Sequence, residues 1–158
     1  MEIVKNINIV ENQLTTRKVD VPDLSQNVES SCISQMYISN TCEYESILKS
    51  EIKGKISGYK QQDIKKNKYD DEKFVTFEYV IEKLVCSKLN CYYCNGRVKI
   101  FYNLCKDESQ WTLDRIDNEI GHNDGNVLIS CLGCNLKRRK LDKDKFNFTK
   151  NMRIKKLN

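Results

Sequence analysis

The sequence predicts an α+β fold: a small zinc-stabilised domain in the C-terminal half, preceded by a helical segment and a poorly defined N-terminal extension. Three observations predict it. Apolar residues recur at three- and four-residue steps from Phe77 to Val85, the period of an amphipathic helix. Two short apolar runs, Trp111 to Ile116 and Asn126 to Ser130, read as strands and flank a turn-rich stretch. Two Cys-x-x-Cys pairs, Cys91 with Cys94 and Cys131 with Cys134, bracket both runs.

Taken in order, residues 1–40 give weak signals. Ile3, Ile7 and Ile9 fit a strand, and Pro22 ends any helix that precedes it. Ser30, Ser31, Ser34, Ser39, Asn40 and Thr41 read as loop. A short helix is expected from Glu43 to Lys53, broken at Gly54 and Gly58. Residues 59–73 are polar, with Ile64 and Tyr69 as their expected anchors. Thr76 caps the helix that carries Phe77, Val80, Ile81, Leu84 and Val85, and this helix ends near Lys88. Val98 to Tyr102 reads as a strand, as do the two runs named above. Gly121, Asn123, Asp124 and Gly125 supply turn chemistry between those runs. A basic helix is expected from about Cys134 to Lys143. The chain then divides into 1–70, an N-terminal extension of unknown role; 71–145, the zinc-binding domain; and 146–158, a basic C-terminal tail.

The composition bounds the function. The chain has 158 residues and a formal net charge of +5. Residues 1–70 hold ten basic and ten acidic side chains, residues 71–130 a net −3, and residues 131–158 a net +8. A basic end after an acidic middle points to a polyanion partner and a cation site. No apolar run approaches the length of a membrane span, and Met1 to Val10 lacks the pattern of a secretory signal. No membrane partner is therefore expected, and together with the cysteine spacing these features predict a reducing intracellular compartment. Lys, Asn and Ile are abundant and Ala is absent, a bias that fits an AT-rich genome.

The eight cysteines fall into two groups. Cys91, Cys94, Cys131 and Cys134 have the spacing of a tetrahedral Zn2+ site. Four thiolates leave no open coordination position, so this zinc is structural. Cys32, Cys42, Cys86 and Cys105 have no such spacing and read as small buried hydrophobes.

Residues 91–140 resemble the HNH, or ββα-metal, endonuclease family. The resemblance rests on Cys91-x-x-Cys94; on Leu113-Asp114-Arg115-Ile116-Asp117-Asn118; on Gly121-His122-Asn123-Asp124-Gly125-Asn126-Val127; and on Cys131-Leu132-Gly133-Cys134-Asn135-Leu136-Lys137. It is similar to a zinc-knuckle variant common in phages and large DNA viruses. If the source is viral, the compartment is the cytoplasm or nucleus of the infected cell.

The resemblance implies a metal-dependent endonuclease that hydrolyses phosphodiester bonds in DNA. Asp114 matches the metal-binding Asp and Asn135 the metal-binding last position of the signature. A carboxylate and an amide oxygen also suit a hard cation, Mg2+ or Mn2+, on chemical grounds alone. Asn126 matches the Asn that braces the hairpin. Arg115 is the departure, because the family's usual general base is a His at that position. An arginine stays protonated and cannot take a proton from water, but it can bind the scissile phosphate. His122, the sole histidine, is the first candidate base; Tyr92, Tyr93 and Tyr102 are the others. Asp117 either holds a water or pairs with Arg115.

Lys137, Arg138, Arg139 and Lys140, with Lys143, Lys145, Lys150, Arg153, Lys155 and Lys156, form the expected phosphate footprint. Cutting both strands with one site per chain implies a homodimer. Two rivals stand beside the endonuclease. One is a nucleic-acid-binding protein that keeps the zinc fold and has lost catalysis. The other is a zinc-ribbon module that binds another protein.

Overall fold

The computed structural model describes residues 15–18 and 21–153. The strand expected around Ile3, Ile7 and Ile9 lies outside the described residues. The fold is mixed α+β, with five helices and one two-stranded sheet among the described residues.

Helix α1, Gln26–Tyr37, occupies the region expected to be loop. Its serines do not set its fate. Cys32 and Ile33 bury the stripe that docks it on the core, and Ser34 returns its hydroxyl to the Ser30 carbonyl. Glu29 is also buried. It is satisfied by the Arg97 guanidinium at 2.8 Å and by the Phe101 amide at 3.0 Å.

Helix α2, Glu45–Lys65, is longer than expected and runs through both Gly54 and Gly58. Leu48 and Ile52 are fully buried, and the same face continues to Tyr59 and Asp63. That tertiary anchorage outweighs a cost of about 1 kcal/mol per glycine. In the polar stretch that follows, Asp63 is the buried anchor, whereas Ile64 is exposed.

Helix α3, Phe77–Cys86, forms as its sequence dictates. The Thr76 hydroxyl accepts from the Tyr79 amide at 3.1 Å, and Val80, Ile81 and Leu84 point into the core. Each buried aliphatic there contributes about 1.5–3 kcal/mol. Cys32 and Ile33 of α1, Leu48 and Ile52 of α2, the α3 stripe and the hairpin share one hydrophobic cluster.

Residues 98–102 do not form the expected strand. Val98 and Ile100 are buried, but the Phe101 amide goes to the Glu29 carboxylate rather than to a neighbouring strand. Only an isolated bridge, Lys99 with Gln110, remains of sheet pairing there.

Strand β1, Trp111–Arg115, pairs antiparallel with β2, Val127–Cys131, with Trp111 opposite Cys131 and Arg115 opposite Val127. Helix α4, Leu132–Arg138, starts directly from β2, with the Cys131 sulfur accepting from the Cys134 amide. It ends five residues earlier than expected, because Arg139 turns to φ +53°. Asp142 then caps α5, Lys143–Asn151, through the amides of Asp144 and Lys145. The first part of the expected tail is therefore a docked helix. Its Phe146 is buried edge-on against Tyr93, with ring centroids 5.0 Å apart.

Candidate metal centre and adjoining cleft

The two cysteine pairs meet. Sγ atoms of Cys91, Cys94, Cys131 and Cys134 all lie within 4.8 Å of one another, and Cys94 and Cys131 are 3.9 Å apart. A tetrahedral ion with bonds of about 2.3 Å needs its sulfurs about 3.8 Å apart, so the cluster can hold a metal ion in the manner of structural zinc. Local turns create it. The Asn95 amide donates to the Cys91 carbonyl, and Asn95 takes φ +54° to close the first knuckle. The Tyr92 amide joins that knuckle to β2 through the Ile129 carbonyl at 2.9 Å. The remaining cysteines stay out of the cluster. Cys32 is buried as expected, Cys42 is half-buried, and Cys86 and Cys105 are exposed, contrary to expectation.

Beside the cluster lies an open cleft of about 500 Å³. Asp114 and Arg115 of β1, His122 of the hairpin loop and Asn135 of α4 all line it. Lys55 and Tyr59 of α2, and Arg139 just after α4, line it too.

Asp114 is buried, and both of its oxygens are engaged. Tyr93 Oη donates to Oδ2 at 2.6 Å, and Arg138 Nη1 donates to Oδ1 at 2.8 Å. Burial pushes the Asp114 carboxyl above its ordinary range, opposed by the Tyr93 hydroxyl and the Arg138 charge. Asn135 donates from Nδ2 to Thr112 Oγ1 at 3.1 Å, and its Oδ1 has no hydrogen bond from the described residues. One carboxylate and one free amide oxygen match a hard cation in donor type. Each carboxylate oxygen keeps one lone pair, but Arg138 competes with a cation for the Asp114 charge.

Arg115 donates to the Ile120 carbonyl at 3.3 Å and has no ion pair among the described residues. Its charge is free for an anion. Asn126 is buried. It donates from Nδ2 to the Asp117 and Gly121 carbonyls and accepts the Asp117 amide, which closes the hairpin loop. Asp117 spends Oδ1 on the Glu119 amide and makes no ion pair with Arg115.

His122 is buried rather than a surface loop residue. Its Nδ1 lies 2.9 and 3.0 Å from the two oxygens of Asp63, and its main-chain amide donates to Asp63 Oδ2 at 2.6 Å. Tyr59 stacks on the imidazole with centroids 4.4 Å apart. Burial lowers the His122 pKa below 6.5, against the opposing pull of Asp63. Tyr93 is unsuited to act as a base. Burial and the Asp114 carboxylate both raise its hydroxyl pKa.

The basic run divides. Lys137, Arg139 and Lys140 are exposed, but Arg138 is 1% exposed and is locked to Asp114 and to the carbonyls of Arg115 and Ile116. Arg138 therefore holds the fold together and does not join the expected phosphate footprint.

No motif in the sequence marks Lys55, Tyr59 or Asp63. Yet they stand four residues apart on one helical face, a pattern visible once α2 is read as continuous. Lys55 donates to Gln110 Oε1 at 3.0 Å and to the Trp111 carbonyl, and lies over the Tyr102 and Trp111 rings. Burial pulls its ammonium down to about 7.

No family model, curated protein or solved structure matches the chain. Among the described residues, no helix is long and apolar enough to cross a membrane.

Proposed function

We propose that this chain is a DNA endonuclease of the HNH type that hydrolyses a phosphodiester bond in the cleft. One observation carries the reading. Asp114, Arg115, His122 and Asn135, drawn from a strand, a loop and a helix, line the same cleft beside the four-cysteine cluster. The cluster holds structural zinc, which fixes the hairpin against α4. Four zinc thiolates suit a reducing intracellular compartment, and the AT-biased composition suits a viral source.

Within the cleft, Arg115 presents an unpaired guanidinium to the scissile phosphate. Asn126 keeps the hairpin loop closed. Thr112 holds the Asn135 amide so that Oδ1 is free, while Tyr93 and Arg138 fix the Asp114 carboxylate. Mg2+ or Mn2+, when bound by Asp114 and Asn135, supplies positive charge to the phosphate and the leaving 3′ oxygen. The exposed Lys137, Arg139 and Lys140 carry the flanking backbone. A homodimer would let two such clefts cut both strands.

The test is supercoiled plasmid incubated with zinc-loaded protein and Mg2+ or Mn2+. Nicking is expected, with severe loss in Arg115→Ala and in Asp114→Asn, whose folding is checked by circular dichroism. Intact plasmid with both cations, from neutral to alkaline pH, would overturn it. A second reading then takes over: a DNA-binding protein without cleavage. The Asp114–Arg138 ion pair favours it, because that pair already neutralises the motif carboxylate.

A further inference from the structure

The buried contact between α2 and the hairpin loop joins two segments with no motif in common. Asp63 is 0% exposed, and it meets one partner residue, His122, through both the ring and the main-chain amide. The backbone is shaped for that contact. A Cβ on Gly121 would lie 2.7 Å from Asp63 Oδ2 and 2.4 Å from the Lys68 carbonyl. A buried carboxylate with no arginine or lysine against it among the described residues needs N–H donors. The His122 amide and an Nδ1–H supply them, so the ring carries its proton on Nδ1. In the neutral ring Nε2 then bears a lone pair; it has no partner among the described residues and belongs to a residue that lines the cleft.

We propose that Asp63 is a positioning residue that holds His122 as a neutral Nε2 base, so that α2 is half of the active site. This rests on the endonuclease reading above. In the step, Nε2 takes a proton from water as the water oxygen bonds to phosphorus. The P–O3′ bond breaks, and the 3′ oxygen takes its proton from solvent. With Arg115 in the position after Asp114, the hairpin loop supplies the base to the same cleft. The charged groups acting on the ring are Asp63 of α2, Lys66 just after it and Arg115 of β1; Tyr59 covers one face. The two cations oppose ring protonation, and Asp63 favours it.

The chain has a single histidine, so its ring can be observed without assignment. In ¹⁵N-histidine-labelled, zinc-loaded protein, the Nδ1–H tautomer is expected at neutral pH. The nicking rate should fall as pH is lowered through the titration midpoint of that ring. An Nε2–H tautomer, or a rate profile that ignores the midpoint, overturns the inference with no variant needed. Asp63→Asn should lose the tautomer preference and on the order of 100-fold in nicking rate. A folded Asp63→Asn protein with the parent's rate and profile overturns it while leaving the endonuclease reading intact. Absence of nicking by the parent protein instead overturns that reading, and the base role with it.

Discussion

Arg138 Nη1 donates to Asp114 Oδ1 at 2.8 Å, and both side chains are almost completely buried. The same guanidinium reaches the carbonyls of Arg115 and Ile116, so it clamps α4 onto the end of β1. Removing one member of a buried ion pair leaves the other charge stranded in low dielectric. Arg138→Met should therefore cost about 3–5 kcal/mol in urea unfolding of the zinc-loaded protein. Adding Asp114→Asn should recover part of that loss. A loss of under about 1 kcal/mol for Arg138→Met would show that the pair does not hold the hairpin to α4.

The zinc prediction follows from the sulfur geometry. The purified protein should contain about one zinc per chain by elemental analysis. Serine at Cys91, Cys94, Cys131 or Cys134 should release it and unfold the hairpin–α4 region, because binding and folding free energy are linked. Cys86→Ser and Cys105→Ser change exposed thiols outside the cluster and should leave zinc content unchanged. Zinc loss in either control would place the site elsewhere.

The exposed cations give a test that separates binding from stability. Neutralising Lys137, Arg139 and Lys140 together should weaken binding to every DNA sequence alike. The salt slope should flatten by up to about three units, roughly 0.9 per phosphate contact. Unfolding should shift by no more than about 0.5 kcal/mol, since none of the three is buried. Unchanged affinity at every salt concentration would move the footprint away from α4.

Local signals were legible where packing agreed with them. Helix α3 has a threonine cap and a clean apolar stripe, and it forms where both place it. The cysteine cluster was legible because two Cys-x-x-Cys pairs are a spacing that suits metal ligation and that chance seldom supplies. Helix α1 and the second half of α2 were hidden for a common reason. Serines and glycines lower helix propensity by at most about 1 kcal/mol each, while buried Ile33, Leu48 and Ile52 contribute more than that. Reading α2 as broken also hid its cleft-facing row, Lys55, Tyr59 and Asp63. The burial of Arg138 was equally invisible. Four adjacent cations look alike in sequence, and only the helix phase relative to Asp114 selects one of them.

The glycines offer the sharpest contrast between propensity and packing. Gly54 and Gly58 lie inside α2, and a Cβ at either would meet no atom within 4 Å. Alanine there removes backbone entropy from the unfolded chain and introduces no clash. Gly54→Ala and Gly58→Ala should each stabilise the protein by about 0.5–1 kcal/mol. Gly121 is buried in the hairpin loop, and its φ is not in the left-handed region, so backbone conformation is not what demands glycine. Space is. An added Cβ would strike the Lys68 carbonyl, which belongs to the backbone just after α2 and cannot rotate away, and would press on the Asp63 carboxylate. Gly121→Ala should cost about 1–3 kcal/mol, as overpacking does. It should also disturb the His122 ring signal, because Asp63 is the atom group displaced. All three substitutions are the same chemical change, so opposite signs in urea unfolding would isolate the close approach of α2 to the hairpin as the cause. A neutral Gly121→Ala with an unmoved His122 signal would mean that this approach is looser than described, and that Asp63 does not need the glycine in order to reach the ring.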